Sequence, residues 1–175
     1  MLAKDKYLIL ARQAGAVWGI VGVSLLIGSA MVRVLPHAVD AFKLGLTPME
    51  WILLFIWSGF MLTTEGYRGF QKLFSPRVAS RAWYLFKLGR PFDLIMAPVF
   101  CMGYFRAPRR RIITSWTLTL GIILIITAVH FLSQPWRGIL DCGVLLGLGY
   151  GLVWLFVFVI ITINRRDYVV DPEVK

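Results

Sequence analysis

Apolar residues fall in long runs broken by short polar stretches, and four of these runs approach the length of a membrane crossing. The first extends from about Gly15 to Leu35 and is expected to stop at Pro36. The second covers 49–65, with Glu50 and Trp51 at one end and Glu65, Tyr67 and Arg68 at the other. The third covers 112–132 and ends at Ser133, Gln134 and Pro135. The fourth covers 138–163, where Asn164, Arg165 and Arg166 stop it. A helix needs about 20 mostly apolar residues to cross the hydrocarbon and satisfies its own backbone, so each run reads as a span. Segments of about ten alternating residues, the mark of a β-barrel, do not occur.

Between the second and third runs lies a central segment, 66–111, of mixed character. Ser75 followed by Pro76 predicts a helix start, with Ser75 as N-cap. Val78, Ala82, Leu85 and Phe86 would then share one face, with Arg77 and Arg81 away from it. That pattern predicts an amphipathic helix lying in the membrane surface. The stretch 92–105, FDLIMAPVFCMGYF, is too short to cross and holds Pro98 at its centre. It is expected to be re-entrant or interfacial.

Charge orients these elements. The chain carries a net charge of +10, and with four spans all of its 19 basic residues except Arg33, Lys43 and Arg137 fall on one side. A fifth crossing through 82–105 would divide them almost equally, so the positive-inside tendency favours four. The fold class expected is therefore an all-α membrane protein, one polytopic domain over 1–175. Its four transmembrane helices form two hairpins, joined by a cytoplasmic interfacial helix and the short broken segment. Both termini are expected in the cytoplasm, and the setting is expected to be a bacterial inner membrane. Lys4, Lys6 and Arg12 precede the first run with no small-residue cleavage site, as in an uncleaved signal-anchor.

The basic excess is thus assigned to orientation and anionic headgroups, not to nucleic acid. Arg77, Arg81, Arg106, Arg109, Arg110 and Arg111 are the expected contacts for anionic lipid or an acidic partner. Cys101 and Cys142 are expected near opposite faces and unbridged. No CxxC, CxxCH or HExxH pattern occurs, so thioredoxin-like redox chemistry, c-type haem attachment and the common zinc-hydrolase helix find no support.

Gly143, Gly147 and Gly151 recur every fourth residue on the fourth run, and Gly15, Gly19 and Gly28 lie on the first. Small residues at such spacing let helix backbones approach closely, within one chain or between chains. The polar candidates are His37, His130, Asp93 and Glu65. Two imidazoles at one depth can ligate haem iron or hold a quinone, although no cofactor is required by the sequence. Glu65 reads as a surface pair with Arg68, and Asp93 as the lining of a vestibule. A faint repeat at an offset of 99 residues aligns Gly22, Leu25, Ile27 and Pro36 with Gly121, Leu124, Ile126 and Pro135.

The expected function is that of a non-enzymatic accessory or scaffold subunit, assembling with itself or with a larger membrane complex. The alternatives are an oligomeric channel or transporter gated by 92–105, and a redox, quinone-binding or haem-binding protein using His130.

Overall fold

The computed structural model describes residues 2–174, with side chains from Lys6 to Val174. The side chain of Lys4, and Lys175, both counted in the charge argument, lie outside the described residues. Among those residues the secondary structure is helical, with no strand. The helices are α1 (Leu2–Leu44), α2 (Pro48–Met61), a π-helical segment (Leu62–Phe74), α3 (Ser75–Leu88), α4 (Pro91–Ile95), α5 (Ala97–Cys101), α6 (Arg109–His130) and α7 (Trp136–Arg165). Three of them, α1, α6 and α7, are long and apolar enough to cross a membrane.

Helix α1 does not stop at Pro36. It continues to Leu44 with the proline inside it. A proline removes one intrahelical hydrogen bond, and here the loss is local because the following turn is fixed from outside. The carbonyl of His37 accepts from Gln134 Nε2, and Ala38 and Ala41 are buried against the next layer. At 43 residues α1 is about 65 Å long, twice a hydrocarbon core.

α1 and α7 run antiparallel. His37 and Ala41 meet Gly138, Met31 reaches Gly149, and Ile20 and Val159 share a cavity wall. The second rod consists of α2, the π-helical segment and α3 without interruption, and it runs parallel to α7. Trp57 packs on Gly143, Glu65 on Gly147, Phe70 on Gly151, and Lys87 Nζ donates to Arg166 O. The end of the bundle that carries Lys87 and Arg166 is here the basic end.

Two sequence features shape this rod. Thr47 and Glu50 form a capping box at the start of α2, each satisfying the other's backbone N–H. Further on, the hydroxyls of Thr63 and Thr64 both donate to Phe60 O. Such back-bonding competes with the amide ladder for the same carbonyl, and the ladder widens here into π geometry. Pro76, which has no N–H, falls where the ladder returns to α.

The rod corrects three expectations. Ser75 is no N-cap: it sits in helical conformation and its Oγ donates to Gly151 O. The helix from Ser75, expected as a separate amphipathic surface helix, continues the second rod and is buried against α1, α5 and α7. Phe86 is exposed, stacked on Trp83, while Val78, Ala82 and Leu85 form the buried face. The proposed repeat also finds no structural echo. Pro36 lies inside a helix and Pro135 precedes one, and Gly22 is packed tightly where Gly121 is open.

The broken segment packs on α1 at the basic end. A β-carbon at Gly15 would meet Leu94 at 2.6 Å, one at Gly19 Cys101 Sγ at 2.8 Å, and one at Gly22 Pro98 at 2.3 Å. Helix α6 differs from all the others, for none of its residues is buried. It is attached near its basic end, where Ser115 Oγ donates to Met102 O, Tyr104 hydrogen-bonds Thr119 and Trp116 meets Tyr104 edge-on.

Candidate functional site

Three polar clusters stand out from the apolar bundle. The first lies at the basic end and centres on Arg81, which is only 3% exposed. A buried guanidinium needs every donor met, and this one is surrounded by main-chain oxygens. Its Nε donates to Phe100 O at 2.7 Å, Nη1 to Pro172 O and Glu173 O, and Nη2 to Phe105 O and Arg106 O. The guanidinium also lies 4.1 Å over the Phe100 ring.

Around it, Asp93 (1% exposed) pairs with Arg106, and Arg111 Nε pairs with Glu173 Oε2 at 2.9 Å. Ser80 Oγ accepts from the amides of Val169 and Val170, both at 3.1 Å. The segment after α7 is thereby stitched onto α3. Arg81 was expected among the headgroup contacts and away from the buried face, and the structure instead commits it to five carbonyls. Asp93 was expected to line a vestibule, but its carboxylate is occupied by Arg106. Arg109 and Arg110 are exposed, and Arg77 is partly so.

The second cluster lies halfway along α7. Glu65 packs on Gly147, and its buried Oε2 has no hydrogen-bond partner. Gln71 Oε1 accepts from Tyr150 OH nearby. On the outer side of the same π-helical segment, Arg68 and Lys72 are exposed. Among the described residues Arg68 has no hydrogen-bond or ion-pair partner, so the expected surface pair with Glu65 is not formed. Lys72 Nζ lies 4.7 Å over the Tyr67 ring, which directs it toward the start of the rod and away from the basic end. From its place at the edge of a 49–65 run, Glu65 was expected near a membrane face. Its contact with Gly147 sets it beside the middle of the 30-residue α7.

The third cluster closes the opposite end. Arg137 Nη2 donates to His37 Nε2 at 2.7 Å and faces the buried Asp141 across 4.0 Å. A ring nitrogen that accepts from a guanidinium has no lone pair left for iron or a quinone hydroxyl. His130 is exposed at the end of α6, its ring edge-on to Phe131. The arrangement therefore does not fit shared haem ligation by the two histidines. Among the described residues no three His, Cys, Asp or Glu side chains gather as a metal site.

The glycine spacing has a specific content. Gly143, Gly147 and Gly151 receive Trp57, Glu65 and Phe70 of the same chain, and Gly15 and Gly19 receive the broken segment. Gly28 has open space around it. Two functional-looking groups escaped the sequence reading: the Thr47–Glu50 box, legible as T-x-x-E before an apolar run, and the contact of Ser80 and Arg81 with 169–173, which no local pattern announces. In comparisons with protein-family models, curated proteins and solved structures, no match to this chain was found.

Proposed function

We propose that this chain is a non-enzymatic subunit of a membrane complex, crossing the bilayer four times with both termini and the basic end in the cytoplasm. In this reading the whole rod from Pro48 to Leu88 is the second crossing. The observation that carries it is the exposed, unpaired Arg68 beside the midpoint of α7. A cation at the bilayer centre costs at least about 2.5–3.5 kcal/mol, so such residues face protein or a water-filled cavity. Helix α6, apolar and without a buried residue, offers a second uncovered surface.

A symmetric self-interface across the Arg68 and Lys72 stripe would oppose like charges, since the two faces of an isologous contact are the same. A partner helix carrying carboxylates fits better. The transporter reading finds less support, because Asp93 is paired and Pro98 is seated on Gly22. Purification from native membranes in mild detergent tests the proposal. The expected result is a stoichiometric partner that is lost from Arg68→Leu, Lys72→Leu protein; a clean monomer from native membranes overturns it.

A further inference from the structure

At the basic end a cavity of about 730 Å³ opens between α1, α3 and α7. That is within the usual size range of ligand sites, about 300–1,000 Å³. Ala16, Ile20, Ala82 and Val159 give it apolar walls, while Trp83, Lys87 and Arg166 stand on its rim.

Two exposed cations, Lys87 and Arg166, are among the residues that line it. Lys87 Nζ reaches Arg166 O at 3.3 Å and lies 5.4 Å from the Trp83 ring. Arg166 closes α7 in a left-handed conformation, φ 55°, and its side chain is exposed. Arg12 adds a further cation close by, although its donors are taken up by Gly89 O and Lys87 O. The nearest described acid in sequence, Asp167, is exposed and turned to its own backbone, accepting from the Tyr168 amide. An apolar slot beside two exposed cations is complementary to an amphiphile with an anionic head.

The geometry points to a binding site for one anionic phospholipid, its acyl chain between α1, α3 and α7 and its phosphate at Lys87 and Arg166. This site is separate from the Arg68 stripe and does not depend on the partner proposed above. It also differs from nonspecific headgroup contact along Arg109 and Arg110, because it requires both a chain and a charge.

Native mass spectrometry of the full chain in mild detergent, with phosphatidylglycerol or phosphatidylcholine added, tests it. The expected result is one retained phosphatidylglycerol per chain and at least about tenfold weaker retention of phosphatidylcholine, about 1.4 kcal/mol. Lys87→Gln with Arg166→Gln removes the preference at two exposed positions. Val17→Trp, an exposed position on the cavity wall, blocks retention of both lipids. Equal retention of the two lipids by wild type, wild-type retention by both variants, or displacement by glycerol phosphate alone overturns the inference.

Discussion

Glu65 of the π-helical segment lies against Gly147 at the middle of α7, so closely that a β-carbon at position 147 would stand 3.0 Å from Glu65 Oε2. The same face repeats this intimacy on either side: a β-carbon at Gly143 would meet Trp57 at 2.5 Å and one at Gly151 would meet Phe70 at 2.3 Å. Gly151→Ala should therefore destabilise the bundle by about 1–3 kcal/mol, the range for inserting a methyl into a packed interior. Gly28→Ala, with nothing within 4 Å, should be neutral or slightly stabilising through helix propensity. Thermal unfolding in detergent, followed by tryptophan fluorescence, separates the two. Equal midpoints would show that the glycines do not set the helix spacing.

How much of this was legible beforehand follows from the range of each interaction. Hydrophobic run length identified α1, α6 and α7, because crossing a membrane is a property of a single helix. It misjudged the second rod, since Glu65, Arg68 and Lys72 lower local hydropathy wherever they point. Only the contacts with Gly147 and Gly151 show that the helix continues past them. Arg81 was misplaced for a related reason: its five carbonyl partners lie 19 to 92 residues away along the chain.

Arg81→Met should cost at least about 2 kcal/mol, because it leaves several buried carbonyls without a donor. Arg81→Lys should recover only part of this, since an ammonium cannot reproduce the planar fork. Limited proteolysis within 167–174 should accelerate in both variants. Unchanged cleavage would mean that Arg81 does not hold this segment to α3.

Asp93→Ala should cost about 2–3 kcal/mol. This is below the 3–5 kcal/mol typical of breaking a fully buried pair, because Arg106 keeps some exposure. The double variant Asp93→Ala, Arg106→Ala should be less destabilised than the two single variants summed, because each single change removes the same contact. A double-mutant cycle in urea provides the measurement, and strict additivity would argue against coupling.

Burial pushes the Cys101 thiol up to about 12, with the nearby Arg81 pulling it back only in part. A raised thiol pKa means the reactive thiolate is scarce below that pH, by roughly 1,000-fold against an ordinary cysteine at pH 8. Maleimide labelling of Cys101 in native protein should be correspondingly slow and should accelerate as pH approaches 12 or when the fold is opened by denaturant. Rapid labelling at neutral pH would contradict the buried placement.

Single-cysteine labelling in sealed vesicles checks the four-crossing topology. On a Cys101→Ser, Cys142→Ser background, probes at 110 and 167 should react from one side and probes at 46 and 133 from the other. Reaction of 110 and 167 from different sides would refute it.

The bundle of α1, the second rod and α7 closes without any residue of α6. A turn of that helix about its attachment at Tyr104 and Ser115 would open no interior. Helix α6 is in this sense an outrigger: the chain invests 22 residues in holding an apolar surface at a set bearing from a body that does not need it for cohesion.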